Sequence, residues 1–379
     1  MASLGVIEIV LLVLSAFYCA VLLGLTLGMG RLRYSPAPSL PMVSVIVAAR
    51  NEEATIGGLV HHVLSQDYPA YEIIIANDRS TDRTKTIVQE CQARDPRIKL
   101  VAITASPTLL PPKKNALHQA IAASRGEILC FTDADCFPPP LWLRTLISAF
   151  DKDVGLVAGF SPYTSTARSP GFGKWLLSTF IRYEEFKGGT WSAGSIGLGM
   201  GWLCTGRSLA YRRRVFEEVG GFESIKQSIS GDDDLFLQHV RRTTSWKIRY
   251  VTEPVSHVPT LPPPDFPAFV RQRTRHFSAG KFFPTSMKLF FFTFHTSNLL
   301  LYGSFISAVV SGDSLSAYVP FLAKCVADCV LFFRSAPLLG QISFAPAFLV
   351  HEFFYVLYNA FIGPLGFIST IRWKPEDIR

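Results

Sequence analysis

The 379 residues contain no CxxC pair and no Cys/His spacing that suits zinc. The seven cysteines (19, 91, 130, 136, 204, 325 and 329) are odd in number and scattered, and they read as small buried hydrophobes in a reducing compartment. There is no long Lys/Arg tract and no nucleic-acid motif, so the net charge of +8 is not assigned to nucleic acid. Anionic lipid and phosphorylated substrates remain as partners for that charge. The glycine-rich GGTWSAGSIGLGMGW (188–202) lacks the GxGxxG fingerprint in a strand-to-helix setting, which argues against a dinucleotide site. It reads instead as a mobile lid or an acceptor channel. No internal repeat or low-complexity tract occurs. His61, His62 and His351 show no ligand spacing and are given no role.

Apolar residues, in contrast, are abundant: they make up 49% of the chain, with the excess at its two ends. Leu4 to Met29 is apolar apart from Glu8, long enough to cross a bilayer, and preceded by no basic segment. It is read as an uncleaved anchor over residues 1–30. Arg31 and Arg33 follow at once, which puts that end in the cytoplasm. Residues 287–367 hold two to three further membrane candidates: Met287–Val310, Leu315–Phe333 and Leu338–Phe367. Lys324 and Asp328 lie four residues apart in the second, a spacing that allows them to pair. Three C-terminal crossings would leave Arg372, Lys374 and Arg379 of the tail (368–379) outside, against the positive-inside rule. One segment is therefore expected to be re-entrant or interfacial, and the sequence does not say which.

Between the apolar ends, residues 41–265 alternate β-branched runs with helical patterns. MVSVIVAA, YEIIIAND, IKLVAI and GEILCFTDAD read as strands. The segments starting NEEATIGG, TDRTKTIV and KKNALHQA read as helices. This order predicts an α/β domain with a parallel sheet and right-handed crossovers, whose ligands gather at the carboxyl ends of the strands. A proline-rich linker, TLPPPDFP, leads to an interfacial segment, 266–286.

Acids collect at those strand ends in a chain that is basic in sum. ILCFTDADCFP places Asp133 and Asp135 one residue apart, on the same side if the strand continues through them. Asp78 and Asp82 follow another strand, and Asp232, Asp233 and Asp234 precede a helix-like run. A helix N-terminus accounts for one or two of the last three, but not for three acidic sites. Carboxylate oxygens suit Mg2+ or Mn2+, which commonly bridge to phosphates. The paired acids look like half of a metal site, with a diphosphate as the other half.

VSVIVAARNEE, SQDYPAYEIIIANDRSTDRT, KKNAL, FTDADC, GDDDL and QRTRH, in that order, resemble family 2 glycosyltransferases. The likeness is to the membrane-bound branch related to ceramide glucosyltransferases and to cellulose and hyaluronan synthases, and it covers residues 41–276. It implies a GT-A fold with flanking transmembrane helices and an inverting transfer from a nucleotide sugar, UDP-glucose or UDP-galactose. By the same resemblance Arg50 and Glu52 line the nucleoside pocket, Asp78 binds base or ribose, and Lys113 lies near the nucleotide. Asp133 contacts ribose or donor sugar, and Asp135 binds the metal. Either Asp232 or Asp233 is the base that deprotonates the acceptor hydroxyl. Gln272 and Arg275 match the family's Q/RxxRW signature, with His276 where tryptophan is usual, and Arg275 would hold the leaving diphosphate. Thr205 and Gly206 would approach the donor sugar. The expected acceptor is a membrane lipid or terpenoid hydroxyl, and the expected place is the cytoplasmic face of the plasma (inner) membrane. A processive polysaccharide synthase and a non-catalytic scaffold are the alternatives.

Overall fold

The computed structural model describes residues 5–37, 39–105, 109–164, 171–312 and 315–369. The basic tail beyond Ser369 lies outside the described residues. Seven strands form one sheet: β1 Val43–Ala49, β2 Tyr71–Asp78, β3 Ile98–Ile103, β4 Ile128–Phe131, β5 Val154–Gly159, β6 Leu209–Arg212 and β7 Lys247–Val251. Their order is β3-β2-β1-β4-β6-β5-β7. β6 alone runs antiparallel to its neighbours, β4 and β5. The helices are α1 Val6–Gly30, α2 Ile56–Leu64, α3 Thr84–Arg94, α4 Pro112–Ala122, α5 Trp142–Ser148, α6 Phe172–Gly197, α7 Arg213–Glu218, α8 Asp234–Thr243, α9 Phe266–Phe277, α10 Thr285–Ser311, α11 Val319–Leu338, α12 Phe348–Phe361 and α13 Leu365–Ile368.

The continuous apolar runs of β1 and β2 are buried because helices cover both faces of the sheet. On one face α2 and α5 contribute Ile56, Val60, Trp142 and Leu146. On the other, α4 and α8 pack beside α6 and the membrane-side helices, joining sheet and bundle in one core. Among the described residues, three helical stretches are long and apolar enough to cross a membrane: Val6–Gly30, Thr285–Ser311 and Ile342–Ile368. The span expected over Leu315–Phe333 takes form as α11. It carries Lys324, Asp328 and Arg334 and is not among those three.

Two expectations are corrected. β4 stops at Phe131, so Asp133 and Asp135 do not sit on a strand. They occupy a turn closed by the Cys136 amide donating to the Asp133 carbonyl at 3.2 Å, because prolines 138–140 cannot extend a ladder. The glycine-rich stretch is no loop over its first ten residues, which complete α6. Its glycines serve contact between helices: a Cβ on Gly28 of α1 would fall 2.1 Å from the Gly194 carbonyl, and one on Gly197 would fall 2.0 Å from that of Gly28.

Candidate active site

The site is built outward from the strand ends. Just past the ends of β1 and β2, Asn51 and Arg79 hold left-handed backbone at φ 54° and 52°. The turns brace each other. Asn51 Oδ1 accepts from the Thr81 amide at 2.8 Å, and Asp82 accepts from the amides of Glu53 and Thr84 at 3.0 and 2.9 Å. Asp82 is therefore a brace. Asp78 is fully buried; Arg79 donates to its two oxygens at 2.7 and 2.9 Å, and the Arg50 guanidinium lies 3.8 Å away as a longer ion pair. Arg50, Glu52 and Asp78 stand beside the main cleft and not in its wall.

That cleft is open to solvent, and Lys113, Asp133, Asp135, Asp232, Asp233, Gln272 and Arg275 all line it. Lys113 starts α4 and bridges two acidic sites, lying 3.1 Å from Asp133 Oδ1 and 3.0 Å from Asp232 Oδ2. Burial alone would lower the lysine's pKa; Asp133, Asp232 and Asp233 outweigh it and raise it. Gly231, at φ 80°, turns the chain so that Asp232 faces Lys113. Burial opposes ionisation of Asp232, but Lys113 and Lys114 outweigh it and hold its pKa below the usual carboxylate range. Asp233 caps α8. Its two oxygens accept amides from Asp234 at 2.8 Å and Gly206 at 3.0 Å. Burial and the charge of Asp232 push its pKa up. Lys114 is buried and donates to the carbonyls of Ser228 and Ser230 at 2.5 and 2.7 Å, which clamps the loop leading to these acids.

Asp135 differs from its neighbours in what faces it. Burial, Asp133 and Glu52 push its carboxyl up to about 6, and Arg207 offsets this only in part. Among the described residues no three His, Cys, Asp or Glu side chains converge as a ready metal cage. An acid under repulsion at the mouth of a polar cleft fits a divalent ion that takes further ligands from a substrate phosphate.

The floor comes from α6 and α9. Gln272 accepts from the Tyr163 hydroxyl at 3.0 Å, and Arg275 and His276 face the cleft. Arg273, within the segment expected to be interfacial, turns inward. It pairs with Glu184 and, at 3.0 Å, with Glu185. Arg207 also pairs with Glu185. Arg207, Glu184 and Glu185 were missed by the sequence reading. Two adjacent glutamates, flanked by Arg182 and Lys187 on a helix rich in aromatic and small residues, were the available signal. Arg212 and Arg213 are staples, not a solvated face: they donate to the carbonyls of Val154 and Gly126 at 3.0 and 2.9 Å.

Residues 44–220 match the family model described as Glycosyl transferase family 2. These residues form a family 2 glycosyl transferase domain. The chain is 30% identical over 246 residues to a Bacillus subtilis protein named "Probable glycosyltransferase YdaM", covering 62% of this chain and 54% of that one. It is also 30% identical over 230 residues to beta-monoglucosyldiacylglycerol synthase of Synechocystis, covering 56% and 43%. The chain thus spans about half the length of these curated relatives. The solved mannosyltransferase of Pyrobaculum calidifontis, in complex with GDP-Man and Mn2+, superposes with a TM-score of 0.51 at 20% identity, over 92% of this chain and 99% of that one. The transferase domain accordingly has the expected GT-A-like fold, with one N-terminal and two C-terminal candidate membrane helices.

Proposed function

We propose that this protein is a membrane-embedded inverting glycosyltransferase that moves a hexose from a UDP-sugar to the hydroxyl of a membrane lipid. One observation carries the reading: Lys113 joins Asp133 to Asp232 at 3.1 and 3.0 Å, so the donor-side acids and the acceptor-side acids share one cleft. The Synechocystis relative's name supports a glycerolipid acceptor, and the Pyrobaculum complex supports a nucleotide sugar with Mn2+.

Glu52 and Asp78, with Arg50, hold the nucleoside end of the donor, and Lys113 and Asp133 hold its sugar and diphosphate. Asp135 would bind Mg2+ or Mn2+, which supplies charge neutralisation for the departing diphosphate. Arg275 presents a guanidinium to the same phosphates, with Gln272 beside it. Asp233 takes the acceptor proton. Its raised pKa makes it the better base, whereas Asp232 is held as an anion by Lys113 and serves to position that lysine.

The bundle holds this cleft at the cytoplasmic membrane surface. α12 is the re-entrant segment. Phe344, just before it, and Tyr358, near its end, both touch α6 between Phe180 and Phe186. α13 then returns to α9, and Lys281 donates to the Ser369 carbonyl at 3.3 Å. The chain thus leaves the bundle on the side of the catalytic domain, in keeping with its basic tail.

The decisive experiment supplies the purified protein with Mn2+, a panel of UDP- and GDP-hexoses and a membrane lipid extract. UDP release with a single-sugar glycolipid supports the reading. A high-mass product would show a polymer synthase, and no nucleotide release from any donor would remove the transferase reading. For the topology, Ser369→Cys in a cysteine-free background should react with an impermeant thiol reagent from the cytoplasmic side. Labelling from the opposite side would refute a re-entrant α12.

A further inference from the structure

Past the acids, the cleft runs along one face of α6. Glu184, Glu185, Gly188, Gly189 and Ser192 line it at helical spacing. The two adjacent glycines differ. A Cβ on Gly189 would lie 2.6 Å from the Phe160 ring, so packing demands glycine there. A Cβ on Gly188 would meet nothing within 4 Å. A glycine inside a helix costs about 1 kcal/mol relative to alanine. No packing contact requires glycine at position 188, and what glycine preserves there is the width of the cleft.

The charged part of the wall is fixed in place. Arg273 is 6% exposed and lines the cleft. Its terminal nitrogen is engaged by Glu184 and Glu185, which hold the side chain against α6. Apolar side chains, Leu203 and Ile229, complete the wall. α6 also fastens the domain to the bundle, through Lys187 paired with Glu352 at 2.6 Å and through the Gly194–Gly28 contact. The groove therefore adjoins the membrane side.

We infer that this face of α6 is the acceptor groove, and that it takes a lipid with a slender, glycerol-like hydroxyl head. Gly188 leaves room for the neck of the lipid, and the free hydroxyl reaches Asp233. The inference rests on the transfer reading above and names its acceptor class.

Two measurements test it. The first is the KM for a diacylglycerol acceptor, read beside the Kd for UDP with Mn2+. Gly188→Leu should raise that KM at least about tenfold while the Kd for UDP stays put, and Gly188→Ala should raise it less. Gly303→Leu on α10 is the control. It also meets nothing within 4 Å and lies outside the cleft, so it should change neither quantity. The second measurement needs no turnover: a fluorescent diacylglycerol should bind the wild-type protein in detergent and bind Gly188→Leu at least about tenfold more weakly. An unchanged KM and unchanged probe binding in Gly188→Leu would overturn the groove, as would a UDP affinity that falls in step. Probe binding that depends on Gly188 in a protein releasing no UDP would keep the groove and discard the transfer chemistry.

Discussion

In the helical bundle Lys324 pairs with Asp328 at 2.7 Å, and Tyr18 donates to the same aspartate at 2.9 Å. Lys187 likewise closes on Glu352, which also accepts from Tyr183. Both of these buried lysines meet an opposite charge from the chain itself. At the strand ends the arrangement is left open: Asp135 faces Asp133 and Glu52, with Arg207 only partly compensating. Closed pairs let polar groups sit inside a membrane-facing bundle at tolerable cost. An open cluster carries charge that a ligand must complete, and that is where binding belongs.

Breaking the two clusters should have opposite consequences. The largest effect is expected in the cleft: Asp233→Asn should lower turnover by about 10²–10⁴-fold with UDP affinity retained. Asp232→Asn should weaken UDP-sugar binding through the loosened Lys113. Equal turnover in both variants and the wild type would leave neither as base. In the bundle, Lys324→Met alone should cost about 3–5 kcal/mol, because it strands Asp328 in a buried site. Lys324→Met with Asp328→Leu should recover much of that, as read by thermal unfolding in detergent, and turnover per folded molecule should hold. A double variant as unstable as the single would mean that the pair is more than a closed charge.

A smaller effect sharpens the contrast by pH. Asp135 titrates near 6 without a cation, so protons compete with the ion below that value. Mn2+ affinity should be flat above about pH 7 and fall about tenfold per unit well below 6. The sign follows because the acid form, favoured in the empty cleft, cannot ligate. A pH-independent affinity down to 5 would exclude Asp135 as the ligand.

The sheet was legible because its signals are local. β1 and β2 are continuous β-branched runs, and the acids that follow them mark strand ends. The cleft acids were legible for the same reason, although the turn at Asp133–Asp135 was mistaken for strand. What escaped was the long-range part. Glu185 meets Arg207 and Arg273, 22 and 88 positions away, and no pattern within a window reports such a pairing. The glycines of α6 suggested a mobile lid or an acceptor channel because helix propensity counts against glycine. Close contact with α1 overrides that propensity at Gly194 and Gly197.

Calorimetric titration of UDP into the wild-type protein and Asp135→Asn, each with and without Mn2+, tests the open-cluster account most directly. The wild-type protein should bind UDP at least about tenfold more tightly with Mn2+, and the variant should show no such gain. An equal Mn2+-dependent gain in Asp135→Asn would contradict the account.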